Sequence, residues 1–265
     1  MKIILDFIKF DIFLKIHMTS PFITMSYFFI FRIASDLTMA FYNYYDQTYA
    51  DVVRRYNNGN RLSIAVGGDS HGIRLWQQFL ELDRRYLFPN LAIYDDECFG
   101  VSGGLARTYR THRGSVNMSR HHLHNFNIVV LMIGSNDPDQ FHGRSCWAIT
   151  RDIESIVLDL TERGKIVYVV AIPSRFTFRR ATAMGYVRQN RALGHKLSRM
   201  FKNRYITLPP GCYQESSFGR EFFGNRIVHL TRERYSQLAV KILRHIDEDL
   251  RNAASRPSSL FVFRN

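Results

Sequence analysis

The chain has 265 residues, 46% of them hydrophobic and 22% charged, which is the composition of a soluble globular protein with enough length to bury a full core. Three cysteines, Cys98, Cys146 and Cys212, are an odd number without metal-like spacing, which points to a reducing, cytoplasmic compartment or to buried thiols and not to a disulfide framework. A net charge of +13 allows association with nucleic acid or an anionic membrane and establishes neither.

Residues 1–34 are rich in Ile, Phe, Leu and Met, but Lys2, Asp6, Lys9, Asp11 and Lys15 interrupt the first half. The longest charge-free apolar window, Met18 to Phe31, contains Pro21 and is shorter than the roughly 18–20 residues of a spanning helix. Acidic residues in the would-be basic region argue against a signal peptide. The segment reads as a loosely attached extension, a weak membrane-associating stretch, or a misplaced start, with Met18, Met25 and Met39 as alternatives. From Ser35 to Asn57 a helix is expected. Ser35 and Asp36 can cap it, and Tyr42, Tyr45, Tyr49, Val52 and Val53 recur at helical spacing. Asn57-Asn58-Gly59-Asn60 breaks it, so the expected division is an N-terminal extension and helix over 1–59, a main domain over 60–250 and a disordered tail over 251–265.

Within the main domain, apolar runs at Leu62–Val66, Leu91–Tyr94, Asn127–Ile133, Ile166–Ile172 and Tyr205–Leu208 read as strands. Helical patterns near 72–86, 146–163, 181–202 and 231–250 lie between and after them. Alternation of this kind predicts an α/β fold with a mainly parallel, five-stranded sheet covered on both faces.

The turn after the first strand is Gly68-Asp69-Ser70-His71-Gly72. Small residues allow a sharp bend, and a serine there stands at the carboxyl end of a strand, beside the unpaired N–H groups of a helix start. The bland alternative is a helix cap, since Asp and Ser are both favoured there. Three more blocks follow strands or precede the last helix. Gly100-Val101-Ser102-Gly103-Gly104 lets backbone N–H groups approach a ligand. Gly134-Ser135-Asn136-Asp137-Pro138 offers an amide NH₂, and Ile227-Val228-His229-Leu230-Thr231 offers a general base.

Taken in order, Ser70, Gly103, Asn136 and His229 resemble the four hallmark residues of the SGNH hydrolase superfamily, the GDSL esterases and lipases. The match covers about residues 60–248. It implies a three-layer α/β/α sandwich of flavodoxin-like SGNH type. In that chemistry Ser70 attacks an ester carbonyl and His229 carries its proton. The backbone N–H groups of Ser70 and Gly103 and the Asn136 side chain hold the oxyanion, with no metal or organic cofactor. Asp69, His71, Gly104 and Asp137 flank these groups and are expected to line the substrate site. A finer resemblance, to SGNH domains carried by some animal retroelements, rests on Ile172-Pro173-Ser174-Arg175 and Arg188-Gln189-Asn190-Arg191-Ala192-Leu193.

One position departs from the family pattern. The aspartate that usually stands three residues before the histidine is Arg226 here. Arginine cannot accept the imidazole N–H, and its charge, if close, disfavours imidazolium. Losing the carboxylate of a serine-protease triad costs about 10⁴ in turnover. Three readings stay open: a Ser–His dyad oriented by a backbone carbonyl, a substitute carboxylate such as Glu221 or Asp137, or a degenerate domain that binds without cleaving. Asn225 could orient the ring by a neutral hydrogen bond. His121, His122 and His124 cluster in sequence but have no carboxylate or cysteine beside them, so they read as solvated.

From Arg175 to Arg204 there are nine cations and no Asp or Glu: Arg175, Arg179, Arg180, Arg188, Arg191, Lys196, Arg199, Lys202 and Arg204. Arg107, Arg110, Arg113 and Arg120 add to the excess. The segment is either a solvated face or a phosphate-contacting surface for nucleic acid or anionic lipid, with Phe176, Phe178 and Tyr186 available to stack on bases.

Overall fold

Near-continuous apolar runs are the mark of strands buried on both faces, and Leu62–Gly68 is such a strand, β1, in the interior of the sheet. The computed structural model describes residues 49–84, 87–94, 98–111, 125–137, 145–173, 180–208 and 229–254, with the backbone alone at 110, 111, 180–190 and 254. All of them belong to the second of two compact units, Tyr49–Asn265.

Chain order is helix α1 (residues 49–57), β1, helix α2 (Ser70–Asp83), β2 (Leu91–Ile93), β3 (Phe99–Gly100), helix α3 (Ala106–Thr111) and β4 (Ile128–Met132). Helix α4 (Cys146–Glu162), β5 (Ile166–Val170), helix α5 (Arg180–Phe201), a 3₁₀ turn (Lys202–Arg204), β6 (Tyr205–Ile206) and helix α6 (Arg232–Ala254) complete it. The strand order is β2-β1-β4-β5-β6, with every pairing parallel. The sheet has six strands where the pattern predicts five. β2 and β3 both pair with β1, at Leu62↔Leu91 and Gly67↔Phe99, so they are two pieces of one edge lane. A two-residue strand has no periodicity to detect, and the single-turn length of α3 hid it in the same way.

Alternate strand residues face opposite layers. Ile64, Val66, Ile128, Val130, Met132 and Tyr168 pack against Leu75 and Phe79 of α2 and Leu238, Ile242 and Ile246 of α6. Ala65, Val129, Leu131, Val167 and Val169 pack against Ile149, Ile153 and Leu160 of α4 and Leu193 and Leu197 of α5. These helix residues recur at i, i+3 and i+4, which is why one face of each helix is apolar. Each large side chain so buried contributes about 1.5–3 kcal/mol. The architecture is therefore the expected three-layer α/β/α sandwich.

Residues 49–57, which the sequence pattern groups with the extension, join this core through Tyr49, Val52, Val53 and Tyr56. Tyr49 and Tyr168 both donate to Asp249 Oδ2, at 3.1 and 2.8 Å, and Tyr56 donates to Asp247. Burial, then the Asp249 charge, pushes the Tyr168 phenol well above its ordinary value, so it stays a donor. The last helix runs through Ala254, beyond the expected end at residue 250. Among the described residues, no helix is long and apolar enough to cross a membrane. Residues 1–48 and 255–265 lie outside the described set.

Candidate active site

β1 ends at Gly68, whose φ is +138°, and a Cβ there would stand 1.9 Å from the Met132 carbonyl oxygen of β4. Only glycine lets the two central strands stay paired up to the turn. Asp69 follows in extended conformation and caps α2, its Oδ1 accepting from the His71 N–H at 2.9 Å. Ser70 is thus the first helical residue, half-buried, at the carboxyl edge of the sheet.

His229 approaches from the other end of the domain. It precedes α6, where Thr231 Oγ1 accepts from the Arg234 N–H at 3.3 Å as a cap. The His229 Nε2 lies 2.8 Å from Ser70 Oγ, although 159 positions separate the two residues. That distance is within hydrogen-bond reach of a serine and a general base.

The asparagine and glycine blocks are tied to this turn by buried polar contacts. Asp69 Oδ2 accepts from both the Ser135 N–H at 3.0 Å and the Ser135 hydroxyl at 2.6 Å. Asn136, the next residue, donates from Nδ2 to the Gly104 carbonyl at 3.1 Å. Asp137 Oδ2 accepts from the Ala106 N–H at 2.9 Å. The glycine loop returns to the serine turn through the Val101 N–H, which donates to Gly68 O at 2.9 Å. Tyr109 adds a second tie, its hydroxyl facing the carbonyls of Gly68 and Phe99. Burial, then the nearby Asp69 charge, pushes that phenol above its ordinary value and keeps its proton in place.

These contacts sort the expected site residues. Gly103 is exposed with φ +73°, and nothing lies within 4 Å of where a Cβ would be, so the backbone and not crowding calls for glycine. Gly104 is buried, and its carbonyl is engaged by Asn136. Asp69 and Asp137 are fully buried, with their carboxylates on neighbouring loops. Expected as lining groups, they are braces between the loops. Asp137, weighed as a substitute carboxylate for His229, has its Oδ2 on the Ala106 N–H. His71 is also fully buried. Its Nδ1 lies 2.6 Å from the Tyr235 hydroxyl, and its ring centroid is 5.1 Å from that of His229, tilted by 54°.

Three contributors carried no signal strong enough to single them out in the sequence: Ser135, Tyr109 and Tyr235. Ser135 lies inside a recognised block, so its neighbours were the only available hint. Tyr109 stands on the short α3, and Tyr235 looks like any core residue of α6.

Arg226, Asn225, Glu221, Arg175, Arg179, His121, His122 and His124 lie outside the described residues, and Arg180 and Arg188 are described by backbone alone. Among the described residues, no group of three His, Cys, Asp or Glu side chains is placed to hold a metal ion.

No family model and no curated protein matches the sequence. Solved structures do match the fold. Est24, a carbohydrate acetylesterase from Sinorhizobium meliloti, aligns with a TM-score of 0.52 and 17% identity over 71% of this chain and 99% of its own. An inhibitor-bound aryl esterase from M. smegmatis gives 0.50 and 15% over 71% and 99%. A lipolytic protein of the G-D-S-L family from Veillonella parvula gives 0.50 and 15% over 69% and 96%. With its parallel sheet, its serine turn and its histidine before the last helix, the chain has the fold of the GDSL, or SGNH, esterases.

Proposed function

We propose that this protein is a serine ester hydrolase with Ser70 as nucleophile and His229 as general base and acid. The observation that carries the reading is the 2.8 Å contact between Ser70 Oγ and His229 Nε2. Oγ attacks the carbonyl carbon as its proton passes to Nε2. The tetrahedral oxyanion forms beside the N–H groups of Ser70 and Gly103 and the Asn136 amide. Donors of this kind are each worth about 10²–10³ in rate. When the intermediate collapses, the leaving alcohol takes the proton from Nε2 and an acyl-Ser70 ester remains. Water then attacks that ester and gives its proton to Nε2. A second collapse returns the proton to Oγ and frees the carboxylic acid.

His229 takes and returns the proton in this scheme. Its ring packs on His71, which Tyr235 fixes in turn. Arginine at position 226 supplies no carboxylate to stabilise the imidazolium, so turnover is expected to be slow. Burst kinetics on p-nitrophenyl acetate with the full chain test this. Ser70→Ala should abolish both burst and turnover, and Arg226→Asp should raise turnover. Turnover unchanged in Ser70→Ala would overturn the assignment.

A further inference from the structure

The exposed cations of this domain fall into two groups. On other helices some are answered by a carboxylate, while Arg55, Arg74 and Arg244 are exposed and enter no ion pair among the described residues. Arg54 pairs with Asp51 at 2.7 Å, Arg163 with Asp159 at 3.2 Å and Arg251 with Asp247 at 2.9 Å, each three or four residues away on the same helix. Arg61 and Arg232 reach Asp83 and Glu81, at 2.8 and 2.6 Å. α5 is different. No Asp or Glu occurs between residues 175 and 204. Arg191, Lys196 and Arg199 are exposed, and among the described residues none of them enters an ion pair.

The orientation of this face is settled by its opposite side. Leu193 and Leu197, four apart, are buried against the sheet. Arg191, His195 and Arg199 therefore run as an outward row, also four apart, with Lys196 beside it. Successive members of the row are about 6 Å apart along the helix axis. Three cations thus form a straight stripe on a helix that has no acidic residue of its own.

We infer that this face of α5 binds single-stranded nucleic acid through its phosphate backbone, independently of base sequence. A polyanion is the complement of a cation row that has no acidic neighbours. One strand presents its phosphates in a single file, as the row presents its charges, whereas a duplex spreads them over two strands across a groove. A membrane fits less well. A helix that lies in a bilayer surface places apolar side chains beside its basic ones, and Leu193 and Leu197, the leucines beside this row, are buried in the core. The large hydrophobic side chains that stand exposed among the described residues are Leu87 and Trp147, and neither is on α5.

The test is fluorescence anisotropy of a U30 oligonucleotide with the full chain, between 50 and 200 mM NaCl. Three phosphate contacts give a slope of log affinity on log salt of about −2, so affinity should fall about twentyfold across that range. The Arg191→Gln, Lys196→Gln, Arg199→Gln triple variant should lose about 2 from the magnitude of the wild-type slope. It should keep its thermal midpoint, because all three side chains are exposed. Ser70→Ala should bind U30 as wild type does, which separates this inference from the hydrolase reading. An absent U30 complex, or a slope unchanged by the triple substitution, overturns it. So does tighter binding to a 30-base-pair duplex, or to phosphatidylserine vesicles, than to U30.

Discussion

Asp69→Asn removes the charge from the residue that joins the serine turn to the asparagine loop. The carboxylate is fully buried and accepts three hydrogen bonds: from the His71 N–H at 2.9 Å, the Ser135 N–H at 3.0 Å and the Ser135 hydroxyl at 2.6 Å. Asparagine brings one acceptor oxygen and one NH₂ group. If the oxygen stays on Ser135, the NH₂ faces the His71 N–H, donor against donor. If the amide is turned, the NH₂ faces the Ser135 N–H, and only the hydroxyl can rotate to accept. Either way at least one bond to a charged acceptor is lost and one buried donor is stranded, at about 1.5–3 kcal/mol. For a domain of this size that lowers the thermal midpoint by about 3–12 °C. Ser70 and Asn136 adjoin the two partners, so misplacement at this junction is expected to lower kcat by up to about 10² with little change in KM. Differential scanning calorimetry and p-nitrophenyl acetate kinetics on the same sample give both numbers. A midpoint within 1 °C of wild type, together with unchanged kcat, would refute the bracing role.

Gly68→Ala adds a Cβ 1.9 Å from the Met132 carbonyl oxygen at a positive φ, so a loss above about 4 kcal/mol, seen as insoluble expression or a collapsed urea midpoint, is expected. Tyr235→Phe removes the hydroxyl from His71 Nδ1 and should cost about 1–3 kcal/mol in chemical denaturation. It should also lower kcat more than it alters KM, because His71 backs the His229 ring; a lower stability with an intact kcat would leave His71 a purely structural role. Burial raises the Glu154 carboxyl above its ordinary value, against an opposing effect of Arg151. The folded state therefore holds that proton more tightly than the unfolded state. The associated stability is complete below the unfolded value and is lost as pH rises through the folded one. Glu154→Gln should then melt above wild type at pH 7, with the gap closing towards pH 4.5; a gap independent of pH would contradict this.

The central strands and the order of the site blocks were legible because they rest on local patterns. Leu62–Gly68 and Ile128–Met132 are apolar on both faces, and a strand that reads this way can only be central. What was hidden is what depends on partners far along the chain. Nothing near Asp69 in the sequence says that its second oxygen belongs to Ser135, 66 residues on. Its assignment as a substrate contact followed from proximity to Ser70 alone. The same holds for Asp137 and Ala106, and for His71, whose partner Tyr235 is 164 residues away. Short elements such as Phe99–Gly100 and Ala106–Thr111 are set by tertiary pairing, which leaves no periodic trace.

The loops that bring Ser70, Gly103 and Asn136 together are held by one another. Asp69 joins the first loop to the third, Asn136 and Asp137 join the third to the second, and Val101 and Tyr109 join the second back to the first. Such a ring holds the three loops to one another without any help from the histidine. In the proposed mechanism, what an arginine at position 226 withholds is the carboxylate that would balance charge on the His229 imidazole. Electrostatic stabilisation by pre-set donors is retained when a triad member is lost, and it still leaves about 10³–10⁴ over the reaction in water. Under the proposed chemistry, a site built this way keeps its donors without the usual carboxylate, and slow ester hydrolysis is the expected outcome. Asp69 is the tie between the first loop and the third, so Asp69→Asn loosens that side of the ring and is expected to lower kcat by up to about 10².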